Sequence, residues 1–153
     1  MISIGSEAPD FTLPRDGNGS VTLSVLRPKK VVLYFYPKDD TPGCTTEALD
    51  FTRLADEFAA AGAVVIGLSK DSVAAHDKFC RKHGLGIILA SDEAGDTCER
   101  YGVWGEKSMY GKTYMGIERT TVLIDGAGKI ARIWPKVKVP GHAAEVLDAA
   151  RSL

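Results

Sequence analysis

The 153-residue chain has little cysteine and no pairing pattern for what it has. Cys44, Cys80 and Cys98 stand 36 and 18 residues apart, with no CxxC. That spacing excludes a disulfide scaffold and argues against the two-thiol turn of a disulfide reductase. Neither charge is in excess, since nineteen Lys+Arg face twenty Asp+Glu for a formal net charge of −1. Nucleic-acid and membrane-surface proteins usually carry a basic excess, so neither partner is expected. No long hydrophobic run is present. The longest nearly unbroken one, 59–68, is about half of what a bilayer-spanning helix needs. The first seven residues contain no basic segment leading into an apolar stretch, so no secretory signal is expected, and the expected location is cytoplasmic. No GxGxxG or P-loop spacing occurs; no nucleotide, haem or metal cofactor is expected.

What remains is an ordinary globular composition, 44% hydrophobic and 25% charged, which can bury one core without staples. No repeat, low-complexity stretch or linker divides it, so residues 1–153 are read as a single domain. Phe11-Thr12-Leu13 and Val21-Thr22-Leu23 flank the Asp16-Gly17-Asn18-Gly19 turn and read as an N-terminal hairpin. The β-branched and aromatic run 31–36 reads as a strand buried on both faces. Phe51, Leu54, Ala55 and Phe58 then mark one helix face, ending near Gly62. A second buried strand is expected at 63–69, and a helix capped by Asp71 or Ser72 should run through His83 to a stop at Gly84. A strand at 85–89, a short helix at 94–101 and a hairpin of 119–125 with 129–134 follow. Ala143, Val146, Leu147 and Ala150 give the closing helix its apolar face. The alternation implies an α/β fold, a central mixed sheet flanked by helices, of thioredoxin-like type. The stretch 104–118 reads as a long irregular loop of functional interest, in which Trp104 and Tyr110 are read as core in preference to pocket lining.

The segment Pro37-Lys38-Asp39-Asp40-Thr41-Pro42-Gly43-Cys44-Thr45-Thr46-Glu47 joins the carboxyl end of a buried strand to a helix, where open α/β sheets place their ligands. Thr41 suits an N-cap and Pro42 the first helical position. Cys44 should therefore lie in the first turn, where unpaired N–H groups and the helix dipole favour thiolate over thiol. The plainer alternative is a buried small hydrophobe. Glu47, one turn on, is read first as an acid favouring the helix N-terminus, and second as a group orienting a nearby arginine.

These residues also carry a resemblance. Pro37, Thr41 and Cys44 fit a Pro-x-x-x-Thr-x-x-Cys pattern that resembles the active-site motif of the peroxiredoxins. The wider run from Tyr36 to Glu47 is similar to the bacterioferritin-comigratory-protein branch, also called Q-type. So are Gly5-x-x-Ala8-Pro9-Asp10-Phe11 and Lys112-x-Tyr114-Met115-Gly116-Ile117-x-Arg119-Thr120-Thr121. The resemblance covers essentially the whole chain. It implies a thiol-dependent peroxidase for hydrogen peroxide and organic hydroperoxides, with no cofactor, a thioredoxin-like reductant and a monomeric state. By the same resemblance Cys44 is the peroxidatic cysteine, oxidised to sulfenic acid. Arg119 steadies the sulfur and the departing oxygen. Thr41 and the Gly43 and Cys44 N–H groups bind the peroxide, and Pro37 shields the sulfur.

In part of this branch the resolving cysteine follows the peroxidatic one by five residues; that position here is Leu49. Another part places it in the next helix, which Cys80 fits, although Cys80 could equally be a half-buried packing residue. A disulfide needs Cα atoms within about 7 Å, so the first turn around Cys44, and the helix around Cys80, should unwind for the bond to form. Cys98 has no special context and reads as a bystander. Three other readings stay open. His76, Cys80 and His83 fall at i, i+4 and i+7 and could bind a metal in a non-catalytic module. The chain could be a thioredoxin-like thiol-disulfide exchange protein, or a non-catalytic binding protein on the same fold.

Overall fold

The computed structural model describes residues 2–153. Strands β1 (Thr12–Arg15) and β2 (Gly19–Thr22) form the expected N-terminal hairpin. Its turn passes through Gly17 (φ 79°) and Asn18 (φ 64°), residue types that tolerate left-handed backbone. β3 (Lys30–Phe35) and β4 (Ala63–Ser69) pair in parallel, and β4 pairs likewise with β5 (Ile88–Ser91). Between them run α1 (Pro42–Arg53), α2 (Ala55–Ala60) and α3 (Val73–His83). After α4 (Thr97–Arg100) comes a separate ribbon of β6 (Trp104–Met109) and β7 (Lys112–Ile117). β8 (Thr120–Ile124) and β9 (Ile130–Trp134) then return to the main sheet, and α5 (His142–Arg151) closes the chain. The seven-stranded order is β2-β1-β5-β4-β3-β8-β9, parallel at the centre and antiparallel toward both edges.

Strand β3 shows why the sheet sits where it does. Val31, Leu33 and Phe35 enter one apolar layer with Leu13, Ile66 and Tyr101. Val32, Tyr34 and Tyr36 enter the other with Phe51, Phe79 and Val146, under α1, α3 and α5. Side chains alternate along a strand, so a continuous apolar run must be covered on both faces. Cys44 belongs to the second layer.

Several expectations need correction. The helix after Cys44 is interrupted at Leu54 (φ −98°, ψ 5°), giving two helices where one apolar stripe was continuous. The third parallel strand begins at Ile88, three residues late, and the short helix begins at Thr97. The stretch 104–118 is no irregular loop: it is the β6–β7 hairpin, turning through Tyr110 (φ 52°) and Gly111 (φ 76°). Lying outside the main sheet, this ribbon buries no continuous face, so period-2 hydrophobicity never marked it. Tyr110 at its tip is 98% exposed and is not core, whereas Trp104 packs partly buried against the first layer.

Candidate active site

Helix α1 starts at the carboxyl end of β3. Pro42 occupies its first position and needs no hydrogen-bond donor there. The first intrahelical bond runs from the Thr45 N–H to the Thr41 carbonyl. The Gly43 and Cys44 N–H groups precede it and remain among the donors that a helix start leaves unpaired. Thr41 is at the N-cap position, but its side chain makes no cap. Its hydroxyl donates instead to the Lys38 carbonyl at 2.8 Å, folding the loop back on itself. Asp40, just before it, adopts φ 59°, a left-handed conformation that Asp accepts more readily than most residues.

Arg119 comes to the same place from the start of β8, the strand next to β3. Thr120 pairs with Phe35, so Arg119 lies beside the chain as it leaves β3, and its carbonyl accepts from the Val137 N–H at 2.9 Å. The guanidinium then forks. Nη2 donates to the Cys44 sulfur at 3.4 Å and Nη1 to Glu47 Oε1 at 2.7 Å. A Cβ at Gly43 would stand 3.2 Å from Nη2, so the absence of a side chain there lets the guanidinium lie against the helix start. Cys44 is 1% exposed and Glu47 equally so.

Glu47 therefore does more than decorate a helix N-terminus, and the reading preferred from sequence is corrected: it holds Arg119. Burial pushes its carboxyl up to about 7, against the opposing pull of the Arg119 charge. Its second oxygen is buried with no hydrogen-bond partner among the described residues. Arg119 itself is held above its ordinary value, because Glu47 and the Cys44 sulfur outweigh the penalty of burial. The result is a permanent cation shared between a sulfur and a buried carboxylate. Such a group, with the two helix N–H donors, can stabilise negative charge developing next to sulfur.

Pro37 is half-buried and lines one end of a shallow groove of about 320 Å³ with Trp104, Tyr114, Met115 and Ile117. Cys80 is not brought to Cys44. Its sulfur, half-buried on α3, lies 3.8 Å from Asp16 Oδ2 in the β1–β2 turn. Burial, reinforced by the Asp16 charge, pushes that thiol up to about 12. Both cysteines are free thiols here. They face charged partners just after β1 and just before β8, strands that stand four places apart in the sheet. Cys98 is fully buried and pushed well above the ordinary thiol range by burial and by Asp92.

The proposed metal triplet does not converge. His76 bonds Asp39 and the Ala90 carbonyl, Cys80 faces Asp16, and His83 bonds Asp40. Among the described residues no group of three or more His, Cys, Asp or Glu side chains could hold a metal. Sequence reasoning missed the partners of His76: Asp39 Oδ2 at 2.6 Å, with Tyr36 donating to the other oxygen. It also missed Asp16. Asp39 was visible within the motif, but nothing in the spacing tied it to a histidine 37 residues away.

A family model described as the AhpC/TSA family matches residues 4–133. The peroxiredoxin Bcp of Bacillus subtilis is 48% identical over 152 residues, covering 99% of this chain and 97% of that protein. A crystal structure of a cysteine-to-serine mutant of Xylella fastidiosa PrxQ has a TM-score of 0.94 at 42% identity, over 99% of this chain and 97% of that one. The bacterioferritin comigratory protein of Xanthomonas campestris was solved in trapped intermediate and ligand complexes that bear on its alkyl peroxide reduction activity. It is 43% identical with a TM-score of 0.90, over 99% and 97% of the two chains.

Proposed function

The chain belongs to the AhpC/TSA family, among the Bcp peroxiredoxins, and from that premise we propose that Cys44 is the peroxidatic sulfur and Cys80 its resolving partner. The activity is that of a thiol-dependent peroxidase. One observation carries the assignment of Cys44: its sulfur sits at a helix start, 3.4 Å from a guanidinium that a buried carboxylate holds in place.

In the first step a sulfur lone pair attacks the terminal oxygen of the hydroperoxide. The O–O bond breaks, and the departing oxygen takes its electron pair and then a proton, leaving as water or an alcohol. Sulfur is oxidised to sulfenic acid as the peroxide is reduced. A thiolate alone reacts slowly, so the acceleration rests on donors aimed at the breaking bond. In this reading Arg119 Nη2 and the Gly43 and Cys44 N–H groups supply them. Thr41 would turn its hydroxyl from the Lys38 carbonyl toward the peroxide, and Pro37 would limit water at the sulfur. The groove beside Pro37, with its apolar Trp104, Met115 and Ile117, suits the alkyl part of an organic hydroperoxide.

In the second step Cys80, as thiolate, attacks the Cys44 sulfur. A disulfide forms and hydroxide leaves, taking up a proton to become water. An external dithiol of the thioredoxin kind then reduces the disulfide by exchange. Because Cys80 is protonated against Asp16 in the reduced fold, this step requires α3 to loosen.

Mass mapping after one equivalent of peroxide tests both assignments. A Cys44–Cys80 linkage in the wild type, with Cys44 stopping at sulfenic or sulfinic acid in Cys80→Ser, is expected. A linkage to Cys98, or peroxide consumption surviving Cys44→Ser, would overturn them.

A further inference from the structure

The loop that presents Cys44 and the helix that carries Cys80 are joined by a buried ion pair that takes no part in either peroxidase step. Asp39 lies five residues before Cys44, and His76 one helical turn before Cys80. His76 is fully buried, and Asp39 is 9% exposed. Nδ1 of the ring meets Asp39 Oδ2 at 2.6 Å, and Nε2 meets the Ala90 carbonyl at 3.0 Å. With Asp39 ionised both partners are acceptors, so both ring nitrogens donate and the ring is an imidazolium. The other Asp39 oxygen accepts from the Tyr36 hydroxyl, and the Asp39 N–H donates to Asp71 Oδ2 at 2.9 Å. Every side-chain polar atom of the pair is bonded. A second contact of the same kind, Asp40 with Lys82 and His83, is exposed and adds little.

We propose that Asp39 and His76 are positioning residues, a clasp that holds the Cys80 helix against the Cys44 loop and sets the rate of disulfide formation after peroxide has reacted. The proposal rests on the assignment of Cys80 as the resolving cysteine. To reach Cys44, Cys80 must leave Asp16, and α3 must move or unwind around it. With His76 only four residues upstream, that movement pulls an imidazolium away from a carboxylate buried at the root of the Cys44 loop. Separating a buried, fully bonded ion pair strands a charge out of water, which is strongly unfavourable. The folded arrangement, in which Cys44 faces Arg119 and can meet peroxide, is thereby kept populated. The same bond delays the sulfenic acid in meeting its partner, leaving it longer exposed to a second peroxide.

The two steps can be timed separately by rapid mixing with peroxide: sulfenic acid formation from its dependence on peroxide concentration, disulfide formation as a concentration-independent phase. Asp39→Asn keeps the shape and removes the charge. It is expected to leave the first step within about twofold, to speed the second at least tenfold, and to raise by a similar factor the peroxide concentration that inactivates through sulfinic acid. If Asp39→Asn does not fold, His76→Gln makes the same test with the same expectation. Ile130→Ala in β9, which weakens the fold from the apolar layer on the other face of the sheet from Cys44, should leave the second phase unchanged. An unchanged or slower second phase in the clasp variants, or equal acceleration in Ile130→Ala, overturns the proposal. Mass mapping of the wild type keeps this apart from its premise. If no Cys44–Cys80 bond forms, the resolving assignment has failed and the clasp with it; if the bond forms at the same rate in all variants, the clasp alone has failed.

Discussion

Replacing Glu47 by glutamine should make the protein more stable at alkaline pH and leave it unchanged in acid. The carboxyl is almost wholly buried, only one of its oxygens is bonded, and its pKa rises from 4.5 to about 7. A carboxyl whose folded value lies above its unfolded value binds a proton more readily in the native state. Stability is therefore fully present below about pH 4.5 and falls as pH rises toward 7, after which the loss is constant. At roughly 1.4 kcal/mol for each tenfold change, the rise from 4.5 to about 7 corresponds to about 3 kcal/mol lost at pH 8. The Arg119 attraction is already included; it opposes the desolvation penalty without overcoming it.

Glu47→Gln keeps the volume and an oxygen that can accept from Arg119 Nη1, and it removes the charge. Urea unfolding of the reduced protein at pH 4, 5, 6, 7 and 8 should then show the two curves nearly meeting at pH 4 and separating to about 3 kcal/mol at pH 8, a difference of roughly 6–12 °C in Tm for a chain of this size. Every other charged group is common to the two proteins and cancels in the difference. The sulfenic acid step should move the other way, slowing severalfold, because a neutral amide holds the guanidinium less firmly than a carboxylate does. Stability curves that run parallel from pH 5 to 8 would refute the reasoning, since they would mean that Glu47 ionises in the fold as it does in water.

Arg119→Lys replaces a fork by a single point charge that cannot reach both Glu47 and the sulfur. Losing one charged hydrogen bond of about 1.5–3 kcal/mol should lower the second-order rate with peroxide roughly 10–100-fold in stopped-flow assays, and a change below twofold would contradict it. Gly43→Ala should separate stability from rate. Alanine favours the helix by up to about 1 kcal/mol, whereas its methyl at 3.2 Å from Nη2 pushes Arg119 aside, so the midpoint in urea should rise while peroxide consumption slows severalfold.

Much of the molecule was legible because its signals are local. The run 31–36 and the run 63–69 are continuous apolar strands, and continuity is what a strand covered on both faces requires. Ser72, whose hydroxyl oxygen accepts from the Ala75 N–H, and Gly84 (φ 63°) bound α3 as their residue types suggest. Cys44 at the start of α1 follows from Thr41, Pro42 and the preceding strand. Long-range contacts were not legible. Arg119 is 75 residues from the sulfur it faces, and only the resemblance singled it out. Glu47 was undervalued because an acid in a first turn has a sufficient local explanation, and nothing local says that an arginine will arrive above it. The β6–β7 ribbon was missed for the opposite reason: with no buried face it leaves no periodicity to read.

The two buried carboxylates near Cys44 divide the work through how completely each is bonded. Asp39 has both oxygens and its backbone N–H engaged, so it fixes the loop and resists being moved. Glu47 has one oxygen bonded and one bare, so its charge is poorly supported, and it can take up a proton near pH 7 without disturbing its bond to Arg119 through the other oxygen. A fully bonded acid makes a rigid hinge point; a half-bonded one makes an adjustable counter-charge. Exchanging the roles would fail on both sides. An unsupported carboxylate at position 39 would let the loop drift off α3, and a fully satisfied one at position 47 would hold the guanidinium so completely that less of its charge remained for sulfur and the departing oxygen.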